Sequence, residues 1–419
     1  GFLMKSFIKF LKNNFAPKMN KFAENKWIQI ISTGIMLVLP TIFLGSIISI
    51  YNILRGYIPA IPDIQPIYNF SFGLYSLILA FLLGYQGMVK LGHKEYQICS
   101  GIIGLSTFLM MLNPTLDKGT ISFEFSRLGP KGILIAFLAG LLASVILNIY
   151  AKINPFKNVT SVPEFILKWL NQIIPTFFAL FITMIVVHTL KIDIFVAVTK
   201  LFAPINQFGQ TLPGFILICF TPVILYSLGI SSWLLSPIYT PIMLEGITAN
   251  IEALNSGLQP MNIVTQETIF VGFVWIGGMG ATMSLVLLML RARSKKLRTM
   301  GKVFLIPSLF NINEPVIFGA PVAFNPYLMA PMWINGIVGP IITWIFMKGG
   351  LVNVPAKLLT GVKLPMPISS VLVTSDLRAI ILWAVLLVVY TIIWYPFFKA
   401  YDSSLCAEKN NTRKDDIIG

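Results

Sequence analysis

Phe310-Asn311-Ile312-Asn313-Glu314-Pro315-Val316-Ile317-Phe318-Gly319 lies between two long apolar runs, and how it is read decides the fold. An ionisable residue at bilayer depth is costly, so its default meaning is a substrate or ion site. Pro315 removes a backbone donor and biases Glu314 away from helix, which predicts a broken segment rather than a plain spanning helix. Broken backbone persists inside a bilayer only where protein or an aqueous cavity surrounds it. Glu314 is therefore the first pocket candidate. The competing account has it capping a neighbouring helix or pairing with a basic residue.

Around this stretch, 56% of the 419 residues are hydrophobic and only 11% are charged. Soluble domains carry roughly 25% charged residues, which excludes a soluble globular chain. Apolar runs of about 20 residues, rather than short alternating segments, give the helical class and not a barrel. The net charge of +15 invites nucleic-acid binding. The basic residues cluster beside apolar runs, however, where positive-inside bias accounts for them, so no nucleic-acid partner is expected. Cys99, Cys219 and Cys406 are too widely spaced for a metal pattern or a disulfide framework. His93 and His188 sit at the ends of apolar runs, and neither a metal nor a cofactor is expected.

Residues 1–26 hold six lysines among Phe7, Ile8, Leu11, Phe15, Met19 and Phe22. That spacing predicts an amphipathic helix on the inner leaflet rather than a removable leader. Spans follow at 27–51, 67–90, 97–113, 132–151 and 169–189, so 27–189 reads as a transmembrane scaffold or dimerisation domain. Residues 190–211 read as an amphipathic connector, 212–399 as a substrate-binding and transport domain, and 400–419 as a frayed cytoplasmic tail. Clear runs in the second half are 212–230, 268–290, 325–347 and 378–399, whereas prolines and small residues break 231–249 and 303–323. The basic loop of Arg291, Arg293, Lys295, Lys296, Arg298 and Lys302 belongs in the cytoplasm, which requires a completed crossing within 231–249. The stretch 303–323 is then a re-entrant hairpin. The result is an all-α polytopic membrane protein with about ten transmembrane helices, re-entrant hairpin segments and both termini inside. Paired discontinuous segments point to a transporter whose pocket lies in the C-terminal half.

Glu314, Asn313 and Asn311 supply acceptors and donors suited to a hydroxyl-rich ligand, and equally to a cation. Gly277-Gly278-Met279-Gly280-Ala281-Thr282 has no preceding strand and no following Lys-Ser/Thr, so a phosphate loop is excluded and close helix packing through small residues is expected. Ser231 and Ser232 have no neighbouring base, which leaves pocket hydrogen bonding or helix-end capping. Glu245 and Glu252 read as members of a polar loop, with a place at the pocket entrance as the alternative. Asp376 with Arg378 reads as a pair or cap at the last span.

Together, Phe310-Asn311-Ile312-Asn313-Glu314-Pro315, Phe318-Gly319-Ala320-Pro321 and Asn325-Pro326 resemble the membrane (IIC) subunit of the bacterial sugar phosphotransferase system (PTS), in its lactose/cellobiose/diacetylchitobiose branch. Pro40 with Gly45-Ser46, Val162-Pro163, Ile174-Pro175, the Gly277–Thr282 run and Asp376-Leu377-Arg378-Ala379 through Tyr395-Pro396-Phe397 carry the resemblance along most of the chain. It implies a lipid-embedded homodimer in the bacterial cell membrane, the N-terminal part making the dimer contact and the C-terminal part holding sugar. It implies uptake of a disaccharide or related oligosaccharide with phosphorylation of its 6-hydroxyl by a cytoplasmic IIB subunit, itself charged by IIA. The phosphorylated residue is then a cysteine of IIB, so the membrane subunit positions the sugar and carries no catalytic residue of its own. Glu314 takes the place of the family glutamate that lies against the sugar hydroxyls. Ser231 stands where the family has the histidine of Gly-Ile-His-Gly, and Pro365-Met366-Pro367 stands where it has Pro-Trp-Thr. Two other readings stand beside this one: a paralogue that senses or binds sugar without transport, and a proton-coupled secondary transporter in which Glu314 titrates.

Overall fold

The computed structural model describes residues 2–319 and 322–418; Ala320-Pro321 of the sequence motif and Gly419 lie outside the described residues. The chain opens with α1 (Phe2–Phe10), a π-turn (Leu11–Phe15) and α2 (Ala16–Ala23), helical as the lysine–phenylalanine spacing predicts. Contacts divide the described chain into two compact units.

One unit comprises Ala23–Gln207 with Trp233–Pro241. It begins with α3 (Lys26–Tyr57), whose N-terminus is capped by the Asn25 side chain accepting from Trp27 N at 3.0 Å. Its centre is α4 (Tyr75–Leu91), α5 (Gln97–Met111) and α6 (Ile133–Ile153). Leu79, Leu83, Ile103, Phe108, Ala136 and Ala139 are fully buried there. The helices meet nearly backbone to backbone: a Cβ on Gly84 would lie 2.3 Å from the Ser100 carbonyl oxygen, and one on Gly104 2.4 Å from that of Ala80. Small residues at such crossings are how helices associate where the lipid is as apolar as the side chains. Between α5 and α6 the chain forms a hairpin of β1 (Thr115–Asp117) and β2 (Thr120–Ser122), which was not expected from the sequence. Lys118 (φ 45°) and Gly119 (φ 81°) make its two-residue turn, a geometry that matches strand twist. The unit continues through α7 (Glu164–Met184) to α8 (Ile194–Gly209).

The other unit comprises the segment ending at Phe22, Phe208–Ser232 and Ile242–Gly419. It contains α9 (Leu212–Ser227), most of α10 (Ser236–Asn255), α11 (Met283–Met289), α12 (Lys295–Leu309), α13 (Glu314–Gly319), α14 (Pro326–Lys348), α15 (Ile368–Thr374) and α16 (Ala379–Ile418). Trp275, Trp394, Tyr390, Phe273 and Phe215 are its largest fully buried side chains. Phe7 of α1 packs edge-on against Trp333 at 6.0 Å, and Lys12 lies 5.5 Å over the Phe324 ring.

Among the described residues, six helices are long and apolar enough to cross a membrane, or seven if the bent pair α8–α9 counts as one span. The all-α multi-pass class stands, while the figure of about ten includes shorter or divided segments. The largest departure is 268–290, expected as one continuous run: α-helix occupies only Met283–Met289 at its end, after a π-helical start at Glu267–Gly272. Glu245 and Glu252, assigned to a polar loop, sit on α10, because the surrounding Leu, Ala and Ile residues favour helix. The tail expected to fray is helical in its backbone through Ile418. Asp402 anchors it by accepting from Arg293 N at 2.7 Å and Ser294 N at 2.9 Å.

Candidate functional site

The segment Glu267–Thr282 is the irregular heart of this second unit. It starts as a π-helix (Glu267–Gly272) and then unwinds. Gly277, Gly278, Gly280 and Ala281 have φ of 85°, 120°, 90° and 57°, values that a continuing α-helix cannot accommodate. The glycines expected to serve helix packing instead turn the backbone. Such a stretch survives in an apolar interior only if its polar groups find partners in the protein. They do. Ser369 Oγ donates to Val271 O at 2.5 Å, Ser370 Oγ to Gly272 O, and Tyr390 OH to Val274 O at 2.7 Å. Asn335 Nδ2 donates to Gly280 O at 3.0 Å and Trp394 Nε1 to Ala281 O at 2.9 Å.

The remaining partners come from the Phe310–Glu314 turn. Asn311, left-handed at φ 59°, accepts from Gly277 N at 3.0 Å and donates to Leu364 O at 3.3 Å. Asn313 donates to Met279 O at 2.8 Å and to Thr282 Oγ1 at 3.2 Å. A Cβ on Gly278 would sit 2.4 Å from Asn313 Cγ, so these two turns are in direct contact. Both amides, read as ligand donors, commit hydrogen bonds to holding the unwound segment. Each such bond matters, because leaving a buried carbonyl unpaired costs about 1–3 kcal/mol.

Glu314 itself opens α13, with Pro315 in the first helical turn. The break therefore falls at 310–313, one step earlier than the proline suggested. Proline is tolerated in a first turn, where its missing N–H has no helical partner anyway. Asn313 O begins α13 by accepting from Ile317 N at 2.9 Å, and Asn313 is only 4% exposed. The Glu314 side chain, one residue on, is exposed. An acid in the first turn of a helix is also where the helix dipole favours one.

The end of α9 comes to the same place. Ser227 O accepts from Phe324 N at 3.0 Å, and Ser227 Oγ accepts from Trp333 Nε1 at 2.9 Å. Tyr226 meets Phe318 edge to face at 6.1 Å and lies within the electrostatic reach of Glu314. Gly229 (φ 72°) turns the chain beneath Phe324. Ser231, exposed, and Ser232, half-buried at the start of a short 3₁₀ turn, follow directly. Thus Asn311, Asn313 and Glu314 form one turn, and the segment leading to Ser231 and Ser232 contacts Phe318 and Phe324, which follow that turn in the chain. Met366 is 7% exposed and presents no open face.

Besides the partners of the unwound segment, Ser369, Ser370, Tyr390, Asn335 and Trp394, neither Tyr226 nor Glu267 was singled out from sequence. Tyr226 has no distinguishing signal in a run of apolar residues. Glu267 has one: it is the acid that immediately precedes the 268–290 run. What the turn offers chemically is an exposed carboxylate on a rigid, internally bonded platform. That suits the orientation of a polyhydroxylated ligand.

Comparison with known proteins places the chain in a family. A lichenan permease IIC component of Bacillus subtilis (strain 168) is 28% identical over 96% of this chain and 95% of its own length. A cellobiose-specific PTS EIIC component of Geobacillus stearothermophilus is 28% identical over 97% of this chain and 96% of its own. The crystal structure of ChbC, the IIC component of an N,N'-diacetylchitobiose-specific phosphotransferase system, superposes with a TM-score of 0.84 and 25% identity, over 96% of this chain and 99% of that one. The family profile for the phosphotransferase system EIIC matches residues 32–336. The chain belongs to the phosphotransferase system EIIC family of membrane sugar permeases, in the cellobiose/lactose branch that the turn around Glu314 resembles.

Proposed function

We propose that this protein takes up a β-linked disaccharide or short oligosaccharide of the cellobiose and chitobiose kind, and that a cytoplasmic IIB subunit phosphorylates its 6-hydroxyl. Glu314 binds the hydroxyls nearest the phosphorylation position, and Asn311 and Asn313 hold the turn that presents it. Ser231 and Ser232 contribute hydroxyls from the turn that follows α9. The observation that carries this reading is an exposed carboxylate fixed at a helix start, on a turn whose neighbouring amides are committed to the scaffold. Holding a reacting hydroxyl in place is what a subunit without its own nucleophile can contribute to phosphoryl transfer.

In this reading the protein is a homodimer through residues 27–189, with both termini in the cytoplasm and the basic Arg291–Lys302 loop on the same side. Ser231 offers a smaller, shorter hydrogen-bonding group than an imidazole, and Met366 gives no aromatic face for stacking. The site therefore relies on Glu314 more heavily. Calorimetric titration of the purified protein with cellobiose, lactose and diacetylchitobiose tests this: at least one should bind, and Glu314→Gln should abolish that binding. Failure of all three and of their longer homologues to bind would remove the reading.

A further inference from the structure

The loop 355–364 is tethered to elements distant from it in sequence. At its start, Asn250 Nδ2 donates to Pro355 O at 2.8 Å. At its end, Leu364 O accepts from Asn311 Nδ2 at 3.3 Å. Between them one atom does most of the holding. Glu267 Oε1 accepts from Leu359 N at 3.2 Å, Thr360 N at 3.0 Å and Thr360 Oγ1 at 2.5 Å. Glu267 is fully buried, and its other oxygen, Oε2, has no hydrogen-bond partner among the described residues.

A buried carboxylate is a weak source of net stability, since desolvation offsets much of what its hydrogen bonds contribute. Three donors converging on one oxygen supply register instead. They fix which loop residues face inward, and the loop leads within a few residues to Leu364 and then Pro365-Met366-Pro367. We propose that Glu267 is a positioning residue for sugar binding. It sets the loop so that the Leu364 carbonyl meets Asn311 and the 365–367 segment stands beside the Asn313-Glu314 turn. Being shut away from solvent, it acts through the loop and touches no ligand. The assignment rests on the sugar-site reading above.

The test uses the full-length protein in vesicles, with sugar affinity and transport KM and kcat measured for Glu267→Ala, Glu267→Gln, Thr360→Val and Thr360→Ser. Glu267→Ala should weaken sugar binding about tenfold or more, the scale of one buried acceptor lost. Glu267→Gln keeps an acceptor oxygen and should stay within about threefold, as should Thr360→Ser, while Thr360→Val falls between. If Glu267→Ala does not reach the membrane, the Thr360 pair decides. Loop position is read independently of sugar, by disulfide formation between Ile312→Cys and Lys363→Cys, which flank the Asn311–Leu364 bond. That disulfide should form readily while Glu267 is present and slowly once Glu267→Ala is added to the two cysteine substitutions. Unchanged KM and unchanged cross-linking in Glu267→Ala or Thr360→Val would overturn the proposal, as would a fall in the amount of folded protein alone. A chain that binds no sugar yet shows the cross-linking difference would overturn the sugar-site reading and uphold the hold of Glu267 on the loop.

Discussion

Asn313→Asp is the perturbation that best separates scaffold from ligand contact at this site. It preserves the size of the side chain and removes its only donor. Met279 O and Thr282 Oγ1, now at 2.8 and 3.2 Å from Nδ2, would face an oxygen instead. Two costs combine. Orphaning the half-buried Met279 carbonyl costs about 1 kcal/mol or more, and an uncompensated charge at a position 4% exposed adds about 3–5 kcal/mol. Total stabilities are about 5–15 kcal/mol, so the variant should be severely destabilised. Asn313→Ala incurs only the first cost and should lose about 1–3 °C in unfolding midpoint. Thermal unfolding in detergent, followed by loss of the monodisperse chromatographic peak, reads both, and sugar titration of the same preparations reads function. An Asn313→Asp protein that unfolds at the parent temperature and has lost only sugar binding would refute the scaffold role.

Three other outcomes follow from particular contacts. Trp394→Phe removes the donor to Ala281 O while keeping most of the buried ring, so unfolding should come earlier by about 1–3 kcal/mol, measured by denaturant titration. Gly104→Val places a branched side chain where a Cβ already lies 2.4 Å from Ala80 O, and should prevent α4 and α5 from packing, seen as loss of folded protein after extraction. Asp376 lies outside the spanning helices; burial alone would raise its pKa, but hydrogen bonds from Arg378 and from Asn353 N outweigh this and hold it below the usual carboxylate range. A depressed carboxylate stabilises the fold above its unfolded pKa of about 3.9 and loses that contribution as pH falls through the folded value. Unfolding midpoints should therefore drop below about pH 4, and Asp376→Asn should flatten that part of the profile.

Much of the architecture could be read in advance because the bilayer leaves few options. The scarcity of charge and the length of the apolar runs give a helical multi-pass chain, and Glu314 stands out because an acid there needs a reason. The unwound Gly277–Thr282 segment was harder to see. Glycines in an apolar run serve close helix packing and positive φ equally well, and only the partners, Asn311, Asn313, Asn335 and Trp394, distinguish the two. Those partners lie at least 31 residues away, so no local pattern announces them. The same reasoning explains why Asn311 and Asn313 looked like ligand donors. An amide's type states what it can bond, while the fold decides to whom. Glu267 was passed over because it sits at the edge of a run and its three donors come from Leu359 and Thr360, in a loop with no periodicity.

The central claim is that Glu314 holds a sugar hydroxyl for phosphorylation from the cytoplasmic side. Its most direct test is uptake of labelled cellobiose, lactose and diacetylchitobiose into vesicles containing the reconstituted protein, with and without phosphorylated IIB inside. The account predicts accumulation of at least one of these as its 6-phosphate, dependent on phosphorylated IIB and lost in Glu314→Gln. Accumulation of unmodified sugar that follows a pH gradient without IIB, or undiminished phosphorylation by Glu314→Gln, would contradict it.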